Sequence, residues 1–445
     1  MRTLWREHGV FACLAALLSL FYLAGVAGVP FHPDETSWLF QSRDFEALLT
    51  RPLELAWEPD SPPSAEMTYR ALNAPLAKYL LGIGRRIAGF EPSNVQVDWN
   101  WSQTWAENER RGALPTLRLL LAARFASAAF YPLSLGLLYW SGLRLHNRWT
   151  GLAAVLLFGT NALVLLHTRR AMAEGALSFA MTLAIVGMLA GDRRPWLAGL
   201  GFALALWSKQ STGILLPAAC LSVVWSKSGM LPIRRAVLNL LIFLLVAVSV
   251  SWILNPFLWR APFRAVGAML EARQAFVEQQ RRNLDALQPG MVLGKPGLRL
   301  AVLLDELFIA PPQLAESGNY AAETGSAAQA YLANPWNHLL RGLVGGGLLL
   351  ALTLVGAGLA VWRMRSTDPA RRRDLGLVLL AMLLQAAGLW LAVPLPYQRY
   401  LLPLVPLACL WAAYGATALP GLRRFAATSA GQPATQPAPS ATDTT

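Results

Sequence analysis

Charge is what this chain has least of. Only 14% of its 445 residues are Asp, Glu, Lys or Arg, where a soluble domain carries about a quarter, and the mean hydropathy is +0.40. A soluble globular protein of this size is excluded, and a polytopic membrane protein is expected. Cysteine is nearly missing too. Cys13, Cys220 and Cys409 each fall inside an apolar run, so neither a disulfide framework nor a CxxC metal pattern is present, and the three act as small apolar residues. The strict alternation of membrane-spanning strands is absent, which excludes a transmembrane barrel. Every backbone group in lipid must be satisfied within the chain, so a bundle of helices remains. No basic stripe or binding fold accompanies the net charge of +13, and nucleic acid is not an expected partner.

What the chain has in quantity is apolar runs of about the 20 residues a bilayer requires. They lie at residues 10–29, 117–143, 150–167, 174–190, 196–207, 212–225, 238–254, 339–362, 375–393 and 400–419. The expected fold is all-α, with about ten transmembrane helices. The runs 196–207 and 212–225 are short and are separated by Ser208-Lys209-Gln210-Ser211. Counting them as two spans places Arg2, Arg6, Arg144, Arg148, Arg193, Arg194, Lys227, Arg234, Arg235, Arg363, Arg365, Arg371, Arg372, Arg373, Arg423 and Arg424 on one side, as the positive-inside rule requires. Both termini are then cytoplasmic, and the positive balance is a topology signal with some affinity for anionic head groups. The first run is longer than the core of a signal peptide and is read as a retained helix. Residues 1–424 read as one membrane domain, and the Pro-, Ala-, Thr- and Ser-rich stretch 425–445 as a disordered cytoplasmic tail.

Two long segments, about 30–116 and 255–337, belong to the external face. In the first, Trp38, Phe45 and Leu49, and further on Leu76, Tyr79, Leu80, Ile83 and Ile87, fall near helical spacing and predict helices lying on the membrane surface. The second offers an amphipathic stretch, "FRAVGAMLEARQAFVEQQRR", and a semi-apolar "LRLAVLLDELFIAPPQL" suited to the interface.

The first external segment opens with adjacent acids, Asp34 and Glu35. One reading makes Asp34 a helix N-cap with Glu35 in the first turn. Another follows from the cations that break the positive-inside pattern. Arg169, Arg170, Lys209 and Arg399 lie in very short external connections, at the same end of the bundle as the acids. They pair with local acids such as Glu174, reach lipid phosphates, or serve a substrate. A sugar held on a lipid phosphate has an anionic leaving group, so its transfer needs fixed positive charge rather than a general acid. A glycosidase needs that second carboxylic acid. Transfer still needs one base for the attacking hydroxyl, a role open to Asp34 or Glu35. A transporter or lipid flippase is the alternative, and it would place charges along a pore.

The residues also carry a resemblance. "HPDE" after the first helix, "NAPLAKYL", "LLHTRRAMAEGALSFAMTLAI", "GFALALWSKQSTGILLP" and the late "YQRYLLPLVPL" resemble the GT-C superfamily of polytopic glycosyltransferases, of the protein O-mannosyltransferase and aminoarabinose transferase (glycosyltransferase family 39) type. The resemblance implies a polyprenyl-phosphate-linked sugar donor, a lipid, glycan or protein acceptor, and a site on the external face of a bacterial inner (plasma) membrane. It implies that Asp34 or Glu35 is the catalytic base and that Arg169 or Arg170, Lys209 and Arg399 bind the donor phosphate. Glu174 and Lys78 join the candidate substrate-binding set, although Lys78, beside Tyr79 and Leu80, also reads as the anchor of a surface helix. Ala74 stands where relatives often have a second proline, and a large soluble C-terminal domain is lacking, so the donor side is better founded than the acceptor side. No cofactor is required. A divalent metal is open only if Asp34, Glu35, His32 and Glu174 converge, and His32 reads as an interfacial polar residue.

Overall fold

A computed structural model describes residues 2–59, 64–316, 320–365 and 368–419. The tail at 425–445, with Arg423 and Arg424, lies outside them. Twenty α-helices follow one another: α1 Arg2–Ala24, α2 Pro33–Gln41, α3 Asp44–Thr50, α4 Ala65–Leu72, α5 Pro75–Ile87, α6 Trp105–Arg110, α7 Leu117–Ala128, α8 Tyr131–Leu145, α9 Arg148–Gly159, α10 Ala162–His167, α11 Ala173–Ala190, α12 Pro195–Leu206, α13 Leu216–Val224, α14 Ile233–Leu254, α15 Pro262–Leu287, α16 Pro296–Leu304, α17 Ala321–Ala333, α18 Gly342–Arg363, α19 Pro369–Ala392 and α20 Val405–Ala418. A two-residue antiparallel pairing of Trp225–Ser226 with Gly229–Met230 closes one turn between helices. Prolines in the first turn start α2, α5, α12, α15 and α19, where a missing N–H costs nothing. Side-chain caps from Thr116, Asn147 and Asn161 start α7, α9 and α10.

All ten apolar runs are helical. Among the described residues six segments are long and apolar enough to cross a bilayer: Leu117–Leu145, Ala173–Ala190, Ile233–Leu254, Gly342–Arg363, Pro369–Ala392 and Gln398–Ala418. The other four, His8–Ala24, Arg148–Gly159, Pro195–Leu206 and Gln210–Val224, are shorter, so ten full crossings do not follow from length alone. α12 and α13 are separate helices that pack on each other. The bundle centre is formed by α11 and α20, whose most apolar stretches are 83% and 89% buried, while that of α14 is 17% buried and turns its leucines outward. In lipid that outward face is the expected one, since apolar surface is at no disadvantage there. α18 and α20 cross with Gly356 and Gly415 set against each other's backbones, and a Cβ at either would collide with the facing chain; small residues permit this approach.

The helices within residues 30–116 do not simply lie on a surface. Trp38 and Leu39 of α2 and Leu81 of α5 join Leu119, Leu120 and Ala123 of α7 and Ala176 of α11 in a buried cluster. Only Ile83 and Ile87 of the expected apolar face of α5 stay exposed. In the second segment the amphipathic stretch is α15. Ala265 and Met269 pack on Ala71, Trp207 and Phe257, and Leu284 packs on Leu395 and Tyr397.

Candidate functional site

The acids at residues 34 and 35 part company within one helical turn. His32 caps α2: its Nδ1 accepts the Asp34 N–H at 3.1 Å, and its own N–H donates to Glu35 Oε2 at 3.0 Å. The cap is therefore His32 and not Asp34, and His32 is buried at 4% exposure rather than interfacial. Burial pushes its imidazole down to about 3, so it is neutral. Glu35, fully buried, spends both oxygens. Arg124 Nε and Nη2 grip Oε1 and Oε2 at 2.7 Å each, and the Ala171 N–H reaches Oε1 at 2.9 Å. This is a planar fork on a carboxylate, a structural staple joining α2, α7 and the loop before α11.

Asp34 points the other way and remains partly exposed, its side chain at 18%. Its carboxylate is ion-paired with Arg399, a residue 365 positions away. Arg399 Nε also lies 2.6 Å from Glu316 Oε1, and His32 Nε2 lies 3.9 Å from Glu316 Oε2. Burial acts to raise the Asp34 carboxyl, but Arg399 outweighs it and holds the group below the usual carboxylate range. Glu316 goes the opposite way: burial, with the Asp34 charge beside it, pushes it up to about 7 against the pull of Arg399. A brace of two glutamines fixes this geometry. Gln313 N–H donates to Gln398 Oε1 at 2.7 Å, Gln398 N–H donates to Gln313 Oε1 at 3.1 Å, and Gln398 Nε2 donates to Glu306 Oε2 at 2.8 Å.

Lys209 completes the ring of charge. Its ammonium donates to Glu174 Oε1 at 3.1 Å and to the Arg399 carbonyl at 3.0 Å. Arg170 is buried with one bond, from Nη2 to the Leu314 carbonyl at 2.8 Å, and its charge acts on Asp34, Glu35 and Glu316. Arg170 Nε, Glu174 Oε2, both nitrogens of His167, Ser178 Oγ and Trp207 Nε1 are buried with no hydrogen-bond partner. Unpaired polar atoms at this density are unusual in a folded interior.

The structure thus brings Asp34, Arg170, Glu174, Lys209 and Arg399 together. Three other candidates stand apart. Arg169 turns toward α1, donating to the Tyr22 and Phe21 carbonyls at 2.9 and 3.1 Å and lying over both rings. Lys78 is buried beside Asp44, 3.6 Å away, which Arg70 grips at 2.8 Å; it is not the exposed anchor of a surface helix, and burial lowers it to about 8. Glu35 is held by Arg124, as above. Glu316 and His167 were not singled out from the sequence. Glu316 follows a Pro-Pro break in a loop with no periodicity, and nothing local marks its partner.

His32, Asp34 and Glu316 offer ligand atoms within 4.8 Å of one another, and an imidazole with two carboxylates suits Zn²⁺ or Mn²⁺. The fit fails on Arg399. Its guanidinium already neutralises both carboxylates, and a dication would be placed against it. Of the four residues considered for a metal, Glu35 and Glu174 turn to Arg124 and Lys209 instead.

These features define a polytopic helical bundle with a charged cluster at one end, and its fold is similar to that of solved oligosaccharyltransferase structures. No protein-family model and no curated protein matches the chain. The oligosaccharyltransferase of Archaeoglobus fulgidus in its apo form superposes with a TM-score of 0.52 at 12% identity, covering 96% of this chain and 52% of that one. Its complex with an inhibitory peptide and a dolichol-phosphate gives 0.50 at 12% identity over 95% and 52%. ArnT from Cupriavidus metallidurans bound to undecaprenyl phosphate gives 0.47 at 13% identity over 93% and 61%. The chain spans about half the length of the archaeal enzyme.

Proposed function

We propose that this chain is an integral membrane glycosyltransferase that moves a sugar from a polyprenyl-phosphate donor to an acceptor hydroxyl. The observation that carries the reading is one partly exposed carboxylate, Asp34, set among Arg399, Arg170 and Lys209 beside unpaired buried polar atoms. The archaeal structure that holds a dolichol-phosphate on a similar fold supports a lipid-phosphate ligand. In the transfer the acceptor oxygen bonds to the anomeric carbon and its proton passes to Asp34. The bond from that carbon to the phosphate oxygen breaks, and the polyprenyl phosphate leaves toward Lys209, Arg170 and Arg399. An anionic donor competes with Asp34 for Arg399, which frees the carboxylate and makes it a better base as the donor arrives. Glu174 and Glu316 hold the cations in place.

A transporter would need its charges along a path through the bundle, whereas these sit at one end, among the external segments. The test is incubation of the purified protein, in lipid nanodiscs, with a panel of radiolabelled polyprenyl-phosphate sugars and cell-envelope acceptors. Label passing to an acceptor is the expected result. Label that crosses the membrane still attached to its lipid, with no transfer to any acceptor, would favour the flippase.

A further inference from the structure

The acceptor must reach Asp34 from outside, and a cleft lined by its neighbours His32 and Glu316 lies beside it. This open cleft, lined by Phe31, His32, Trp101, Leu314, Glu316 and Thr324, encloses only about 20 Å³, so a ligand there lies across its mouth rather than inside it. Its inner wall is the charge cluster itself, since His32 Nδ1 lies 3.9 Å from Asp34 Oδ2 and Glu316 lies against Arg399. Its outer wall is aromatic. Trp99 is 3% exposed and packs edge-on against Trp105 and Tyr320, with ring centroids 5.3 and 5.2 Å apart. Trp99 Nε1 donates to the Tyr320 hydroxyl at 3.3 Å, which donates in turn to the Gln103 carbonyl at 2.8 Å.

On this fixed base Trp101 stands 44% exposed, 6.0 Å from Tyr320 and 6.4 Å from the His32 ring. Trp101 thus presents a half-exposed indole face on a packed support, at the edge of the cleft that Glu316 also lines. Packing does not need it there, because Trp99 and Trp105 already fill the cluster. Its chemistry suits a pyranose. The C–H face of a sugar ring stacks on an indole, and the hydroxyls on its rim donate to a carboxylate such as Glu316, whose Oε1 is held by the charge of Arg399 without an aligned hydrogen bond. Among the described residues no Lys or Arg lines the cleft, and the nearby Arg399 guanidinium is already engaged with Glu316 and Asp34, which favours an uncharged acceptor.

We propose that Trp101 and Glu316 form the acceptor subsite, and that the acceptor is a neutral saccharide rather than a peptide or a lipid phosphate. This rests on the transferase reading above and names the substrate class of the same site. The experiment separates the two. Binding of neutral oligosaccharides to the full-length protein in nanodiscs is measured by saturation-transfer NMR, with no donor present, for the wild type, Trp101→Ala and Trp101→Phe. Donor use is measured independently with the radiolabelled panel. The expected result is oligosaccharide binding that weakens about tenfold in Trp101→Ala, in line with one lost aromatic contact, and is largely kept in Trp101→Phe, with donor affinity unchanged in both. In the transfer assay the same change appears in the acceptor KM and leaves kcat near wild type. Oligosaccharide binding that is indifferent to Trp101, or transfer to a Ser/Thr peptide and not to glycans, overturns the subsite while the transferase stands. Saccharide binding without transfer from any donor overturns the transferase and leaves the subsite.

Discussion

Both ends of the bundle bury arginine against acid, and they differ in what is left over. At the end away from the external segments, Arg373 is fully buried and uses all three nitrogens. It donates to the Trp225 carbonyl, to the carbonyls of Leu189, Ser222 and Met188 at 3.0, 2.7 and 3.4 Å, and to Asp374 at 2.9 Å, and it lies 3.5 Å from Asp192. Arg144 closes the set on Asp374 at 2.7 Å. At the end that holds Asp34 the same residue types leave Arg170 Nε, Glu174 Oε2 and both His167 nitrogens unpaired. A saturated network is a clamp, because every donor it contains already has its acceptor within the chain. An unsaturated one at a similar depth leaves donors and acceptors uncommitted within the chain. Charge and burial alone would rank Arg373 above Arg399 as a functional residue; counting satisfied donors reverses the order.

Mutations at the two ends should separate along this line. The largest effect is expected from Asp34→Asn, which keeps the shape of a residue in the first turn of α2 but cannot take a proton. Turnover should fall by roughly a hundredfold to ten-thousandfold with the thermal melt nearly unchanged, and near wild-type turnover would return the residue to a helix start. Arg373→Met should give the reverse signature. Leaving Asp374 and Asp192 buried without their partner costs about 3–5 kcal/mol of stability, read as a lowered melt, while the folded fraction keeps its donor affinity. Glu35→Gln belongs with Arg373, since it strands the Arg124 guanidinium, so the melt should fall more than turnover per folded molecule. A turnover loss as large as that of Asp34→Asn with an intact melt would exchange the roles of the two acids.

Smaller effects sharpen the picture. Glu316 titrates near pH 7, above its unfolded value of 4.5. Its protonated form therefore stabilises the fold below about 4.5, and that contribution is lost as pH rises through about 7. Over the same window the loss of its charge on acidification frees Arg399. Donor phosphate should bind a few-fold more tightly at pH 6 than at pH 8, and Glu316→Gln should flatten the profile at the tighter level. A profile that falls toward low pH would remove Glu316 from the cluster. Least of all should change on chelation: with Arg399 between the two carboxylates, EDTA should leave transfer unaltered, and activity restored only by Zn²⁺ or Mn²⁺ would show that the arginine moves aside.

Much of the bundle was legible because a bilayer imposes one length and one polarity on every crossing. The cations were legible for a related reason: Arg170, Lys209 and Arg399 depart from the side on which the other loop cations are expected, and the structure gathers all three. The same signal could not say which of Arg169 and Arg170 faces inward, because adjacent residues on a tight turn diverge and only packing against α1 decides. Nor could it tell Asp34 from Glu35, for the answer lies with Arg124, 89 residues on from Glu35. Glu316 was invisible. It acquires meaning only when Gln313 and Gln398 pin its loop against Arg399, and such long-range pairing leaves no periodicity in a single chain. Lys78 misled because helical spacing shows a face but not what covers it.

The central claim is that the unsaturated end holds the donor phosphate, and Lys209 tests it most directly. Its ammonium, which donates to Glu174 and to one carbonyl and lies over the Tyr400 ring, can be replaced by Gln with a donor to Glu174 retained. The measurement is the affinity of a polyprenyl phosphate for wild-type, Lys209→Gln and Arg373→Met proteins in nanodiscs, each checked by its melt. The account predicts a loss of about tenfold or more for Lys209→Gln, the scale of one charged hydrogen bond, and none for folded Arg373→Met. Equal affinity in the wild type and Lys209→Gln would contradict it.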